Sequence, residues 1–187
     1  MTLEPTDARV HAAVGFVSLL HQMFDRALRH VEVARALHPN DSGIQGLCGW
    51  TLACLGEPEL GLQAWVVAKR LDPRYPDWFG RYKARILFLA RRHADCAPTL
   101  APLVATSPLE HPRDLRWLVA ALGHLGAAEE AALRSAELVA AIGKRWEGHP
   151  DADATARLTG LVDTYPLRRT EDVEHLRDGP RRAGALG

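Results

Sequence analysis

Three kinds of side chain in the 187-residue sequence could carry chemistry: nine histidines, three cysteines, and arginines spaced to share a helix face. The histidines stand at 11, 21, 30, 38, 93, 111, 124, 149 and 175. A helix presents two metal ligands on one face when they lie three or four residues apart. No two of these histidines do, and HExxH is absent. They are therefore read as surface or interhelix polar residues, and no metal is expected. Cys48, Cys54 and Cys96 form an odd set without a CxxC pair, which argues against a disulfide framework and a structural zinc site. A nucleophilic pairing of Cys96 with a distant histidine is weaker than its reading as a small buried hydrophobe. Gly43, Gly46 and Gly49 spell G-x-x-G-x-x-G, but no strand precedes them and no Lys-Ser/Thr follows. A phosphate cradle is not expected there, and no Gly-x-Ser-x-Gly elbow occurs. The chain is read as non-enzymatic, without catalytic residues or cofactor. Arg81 and Arg85 lie one helical turn apart. Like charges at that spacing repel, and an anionic group on a partner would relieve them, a carboxylate best matching the guanidinium fork.

The composition limits the partners. Apolar residues make up 47% and charged residues 25%, as in a globular domain. Lys plus Arg and Asp plus Glu are 23 each, giving zero net charge, whereas nucleic-acid binding usually needs a basic excess. Nucleic acid is not expected as a partner. No apolar run approaches the ~20 residues of a membrane span, so no membrane is expected either. The opening MTLEPTDARV puts acids and a proline where a signal peptide needs a basic start. A cytoplasmic location is the expectation. Aromatics are 6%, strong helix formers dominate, and no strand or hairpin signal stands out. The fold class is all-α.

The elements that position these residues form an internal repeat. At a shift of 34, Gly15 matches Gly49, Phe16 Trp50, Ala27 Gly61, Val31 Trp65, Ala34 Ala68, Leu37 Leu71, and Pro39 Pro73. A third unit follows at 35, with Ala84 for Gly49, Cys96 for Gly61, Leu100 for Trp65 and Pro108 for Pro73. A fourth keeps that shift, Gly126 answering Arg91, Ala131 Cys96 and Ser135 Leu100. Each unit reads as a helical hairpin. In the second, Asp41-Ser42 caps one helix and Gly56 ends it, while Pro58 opens the next and Asp72-Pro73 stops it. Small residues at Gly49, Gly61 and Ala68 fall where helices approach closely, with Trp65 and Leu71 filling space between hairpins. Helices are expected at 8–23, 25–37, 43–55, 58–71, 77–90, 94–105, 112–125 and 127–142. Further ones are expected at 151–164 and 170–178, before a frayed RDGPRRAGALG end. The array covers 1–143, and 144–187 forms a helical cap and flexible tail.

This small-residue, aromatic and proline pattern resembles the tetratricopeptide repeat family. It departs from the family pattern in carrying Ser18 and Leu52 late in the first helices, and Gln22-Met23 where a glycine would separate the first pair. The resemblance implies a right-handed α-solenoid of about four stacked hairpins. The stretch LDPRYPDWFGRYKARILFLARRHADCAPTLAPL and the terminal YPLRRTEDVEHLRDGPRRAGALG resemble the repeat region of bacterial proteins that join a class III nucleotidyl cyclase or winged-helix regulator to such repeats. That second resemblance implies, as an alternative, a regulatory module of a nucleotide-cyclase or transcriptional signalling system.

In such solenoids the first helix of each hairpin lines a concave binding face. In register, that face would hold Phe16, Leu19 and Leu20, then Trp50, Ala53 and Cys54. Arg81, Arg85, Phe88 and Leu89 would follow, then Arg116, Ala120 and His124. Phe16, Trp50, Arg81, Arg85, Phe88 and Arg116 are the candidate partner-binding residues, and the implied function is a protein–protein interaction scaffold or adaptor. Its partner is a protein or peptide carrying an anionic group. The asparagine clamp found in some family members is disfavoured, since Asn40 is the sole asparagine and lies in a turn. The apolar ends of such an array also leave homodimerisation open.

Overall fold

The computed structural model describes residues 7–74, 78–106, 111–143 and 165–183. Among them all regular structure is helical: α1 Ala8–Leu20, α2 Phe24–Leu37, α3 Ser42–Cys54, α4 Pro58–Leu71, α5 Trp78–Leu89, α6 His93–Thr106, α7 His111–Leu125, α8 Ala128–Gly143 and α9 Thr170–Arg182. The expected helix at 151–164 lies outside the described residues. Two compact units emerge, one holding α1 to α5 with Pro166–Arg169, the other α6 to α8 with Tyr165 and α9. Residues 165–183 are thus shared between the units.

The caps follow from local chemistry. Asp7 accepts from the backbone N–H of Arg9 at 2.9 Å and of Val10, closing the start of α1. Asp41 does the same for α3 through Ile44 N at 3.0 Å, and also takes the Arg9 guanidinium at 3.0 Å. Both satisfy N–H groups that a helix leaves unpaired. Pro58 occupies the first turn of α4, where its missing N–H costs nothing.

The repeat is written most plainly in the turns. Four residues among those described have left-handed backbone: Gln22 (φ 56°), Gly56 (94°), Arg91 (62°) and Gly126 (69°). Their spacings are 34, 35 and 35 residues, the same shifts that relate the sequence units. Around three of them the hydrogen bonds are identical. Gln22 N bonds Leu19 O and Met23 N bonds Ser18 O, Gly56 N bonds Ala53 O and Glu57 N bonds Leu52 O, Gly126 N bonds Gly123 O and Ala127 N bonds Leu122 O. This is the Schellman closure, in which the residue past the cap goes left-handed so that two N–H groups reach back to the last turn. It also shortens the first helix: α1 was expected to run to 23 but ends at Leu20, because the chain reverses through Gln22. Gln22 holds that conformation without glycine, at a steric cost of roughly 1–2 kcal/mol.

Packing repeats as well. A Cβ on Gly15 would lie 3.3 Å from Ala27 O and 3.4 Å from Val31 N, while one on Gly49 would lie 2.9 Å from Gly61 O and 3.6 Å from Trp65 N. These are the same pairs shifted by 34, so α1 meets α2 as α3 meets α4. Ala8, Ala12, Val31, Ala34, Ile44, Cys48 and Leu52 form a continuous core in the first unit. Leu71, expected as a filler, is exposed, as is its repeat counterpart Leu37, since each is the last residue of its helix and lies beyond the packed turns.

In the second unit α7 packs against α6, α8 and α9. Eight consecutive residues, Leu115 to Leu122, are buried, as expected of a helix enclosed on all sides. On α9 the buried positions are Asp172, Leu176, Gly179 and Pro180, a stripe at spacings of four, three and one. The helix runs past the expected end at 178, because Gly179 and Pro180 face the core and Ala183 N still bonds Gly179 O at 3.0 Å. The end expected to fray is therefore helical through Arg182. No described helix is long and apolar enough to cross a membrane.

Candidate functional site

The first-helix faces are where binding residues were expected, and the structure places most of those residues inside. Trp50 is 4% exposed, Arg81 9%, Arg85 7%, Phe88 0% and Arg116 1%. Phe16 is half-buried. Five of the six candidate binding residues are thus enclosed. Within the first unit, the Arg85 guanidinium lies 5.9 Å from the centre of the Trp50 ring. Trp50 in turn stacks on Tyr82 at 5.6 Å, and Phe79 meets Tyr82 edge-on at 6.0 Å. The sequence paired Arg81 with Arg85 as neighbouring charges but missed that Trp50 of α3 would lie beside the Arg85 guanidinium.

The chain's own C-terminal segment covers parts of these faces. In the first unit Arg168 N donates to Cys54 O at 2.9 Å at the end of α3, and the Arg168 side chain pairs with Asp25 at 3.0 Å. Arg169 lies over Gly56 so closely that a Cβ there would meet its Nε. In the second unit Tyr165 stacks on the Arg116 guanidinium at 4.2 Å and meets Trp117 edge-on at 5.1 Å. Next along α7, Ala120 receives Gly179: a Cβ on Gly179 would fall 2.4 Å from Ala120 Cα and 2.6 Å from its carbonyl oxygen. Gly123 is just as close, its Cβ position 2.0 Å from Gly179 O. One turn further, His124 Nε2 lies 2.9 Å from His175 O. Arg116, Ala120 and His124 are the three residues expected on the binding face of the fourth hairpin, and α9 with its lead-in touches all of them.

A salt bridge fixes the start of α9. Arg91 donates to the buried Asp172 carboxylate at 2.8 Å, with the arginine side chain 40% exposed. Arg91 stands at the turn position that is glycine in two other units, and its side chain is what reaches α9. The apolar content of the docked face is small, with Leu176 its one large aliphatic residue flanked by Gly179, Pro180 and Ala183.

The three cysteines are buried and none is in a disulfide, and burial pushes the thiols of Cys48 and Cys96 up to about 12. Histidines do gather, through tertiary structure: His93, His124 and His175 lie together in the second unit. Their sequence separations of 51 and 82 residues hide them from any local spacing rule. A looser pair joins His11 and His30 through their Nδ1 atoms at 2.9 Å. Burial, then the neighbouring His11, lowers the His30 pKa.

No family model matches the chain, and no curated protein matches it.

Proposed function

We propose that this protein is a non-catalytic interaction scaffold of the tetratricopeptide type, an α-solenoid whose first-helix faces accept a partner helix, held here in a self-occupied state. The observation that carries this reading is α9 seated along α7 through Gly179 and Ala120. Small residues on both sides allow backbones to approach closely, which is how a face accepts a helix. Such a seat suits a helix-in-groove mode of recognition, read by anchors spaced three and four apart.

The occupant defines what a partner should look like. Its anchors are an acid, Asp172, then Leu176 four residues on and Gly179 three further. A partner helix with an acidic residue, a leucine and a small residue at those spacings would offer Arg91 a carboxylate and α7 a close approach. The proposed partner keeps an anionic group, with Arg91 as its cation rather than Arg81 and Arg85. Displacement is energetically accessible: burying one leucine contributes about 1.5–3 kcal/mol, and the Asp172 carboxylate regains water when α9 leaves.

The test uses full-length Gly179→Leu, in which the new side chain meets Ala120 backbone and forces α9 off. Affinity capture from the native host should recover a partner with the variant and little with wild type, and a synthetic 165–183 peptide should compete it away. Equal recovery by both proteins, or recovery the peptide leaves unchanged, would count against the reading. Circular dichroism verifies that the variant keeps its helices.

A further inference from the structure

His93 begins α6, His124 ends α7 and His175 lies in the middle of α9, and one potential ligand atom from each falls within 4.8 Å of the others. As they stand the rings stack face to face, with centroids 3.8 Å apart for His124–His175, 4.8 Å for His93–His124 and 4.9 Å for His93–His175, so coordination requires the imidazoles to turn until their in-plane lone pairs converge. His175 Nε2 and His93 Nε2 are 3.0 Å apart. In tetrahedral zinc–imidazole coordination, bonds of about 2.0–2.1 Å set neighbouring nitrogens roughly 3.3 Å apart. The 3.0 Å contact is itself a hydrogen bond between the two rings, which an ion would replace at nearly the same nitrogen separation. The third ring is oriented by the backbone. His124 donates its Nε2 proton to His175 O at 2.9 Å, which leaves Nδ1 as the nitrogen able to ligate, a hydrogen bond of the kind that fixes the tautomer of a metal ligand.

We propose that His93, His124 and His175 form a binding site for one divalent transition-metal ion of the zinc class. Three neutral imidazoles suit borderline ions such as Zn²⁺, Co²⁺, Ni²⁺ and Cu²⁺, and exclude Mg²⁺ and Ca²⁺, which take oxygen. Three protein ligands leave further positions to water. The ion would tie α6, α7 and α9 together at one point and so hold the C-terminal helix on its seat.

The surrounding charges set limits on affinity. Burial, then the neighbouring His124 and Arg91, lowers the His93 pKa to about 4. Burial, then Arg91, His124 and His93, lowers that of His175 to about 3, while Asp178 opposes the fall. Arg91 repels a cation, but its charge is returned by Asp172 at 2.8 Å. Asp178, which Arg182 holds at 2.5 Å, offsets it from the other side. The proposal stands on side-chain geometry alone, whatever partner the scaffold takes.

The test is titration of chelator-stripped full-length protein with ZnCl₂ by calorimetry, and with CoCl₂ by visible absorption. One equivalent per chain is expected, with cobalt d–d bands of four- or five-coordinate geometry and no thiolate charge-transfer band. His124→Gln and His175→Gln should each weaken binding at least ~100-fold, since even outer partners of a ligand are worth 10–100-fold. His11→Gln should leave stoichiometry and affinity unchanged. Absence of saturable binding, a thiolate band, or unchanged affinity in His124→Gln would overturn the proposal. If the glutamine variants unfold, the cobalt spectrum of wild type decides alone.

Discussion

Gln22→Gly and Gly126→Ala should change stability in opposite directions, because the two residues occupy the same repeat position with opposite fitness for it. Gln22 has φ 56° and Gly126 φ 69°. A side chain in that region costs about 1–2 kcal/mol against Cβ–carbonyl crowding. A glycine loses about 0.4–1 kcal/mol more entropy on folding. The net for Gln22→Gly is therefore a gain of roughly 0.5–1 kcal/mol. For Gly126→Ala it is a loss of the same size, uncomplicated by clashes, since a Cβ there meets nothing within 4 Å. For a chain of this length each kcal/mol moves the midpoint by about 2–4 °C. Differential scanning calorimetry should show shifts of opposite sign, Gln22→Gly in the unit holding α1 and α2, and Gly126→Ala in that holding α7 and α8. Arg91→Gly relieves the same strain but deprives the buried Asp172 of its partner, so it should destabilise despite the glycine. Two shifts of the same sign, or a loss for Gln22→Gly, would refute the reading of these turns as equivalent.

Other consequences are as direct. Gly179→Ala should speed hydrogen exchange in α9 selectively, because its Cβ meets Ala120 backbone at 2.4 Å and overpacking of this kind costs about 1–3 kcal/mol; unchanged α9 exchange would contradict it. Asp41→Ala should cost about 1–2 kcal/mol at pH 7 by uncapping α3. The Asp41 carboxyl is held below its usual range first by the Ile44 N–H and also by Arg9. Its contribution is therefore present above the ordinary Asp pKa of about 4 and lost as pH falls through the lower folded value, so wild type and variant should converge in acid denaturation curves. Cys48 and Cys96, with thiols pushed up to about 12, should resist iodoacetamide at pH 8 and react on denaturation, as mass spectrometry would show.

Much of the architecture can be read locally because it is made locally. Asp41, Pro58 and Gly56 bracket their helices by cap chemistry that involves only neighbours, and Gly49 against Gly61 is a hairpin contact twelve residues apart in the chain. The missing glycine at position 22 obscured a turn that the backbone keeps, since hydrogen bonding to Leu19 and Ser18 outweighs the strain on Gln22. What was illegible depends on the C-terminal segment. Arg116 and Ala120 read as open because nothing near them in sequence shows that Tyr165 and Gly179 return to cover them. The same return assembles His93, His124 and His175. Trp50 and Arg85 were named as a surface, yet a cation beside an aromatic cluster serves packing equally well, and here both are enclosed.

The most direct measurement of the central claim is fluorescence anisotropy of a labelled 165–183 peptide titrated with full-length Gly179→Leu and with wild type. If the α7 face accepts a helix and α9 occupies it, the variant binds the peptide saturably at one to one, and wild type binds at least about tenfold more weakly, in keeping with the competition from its own tethered copy. Binding by neither protein, with the variant still helical, would contradict a helix-accepting face and with it the scaffold reading.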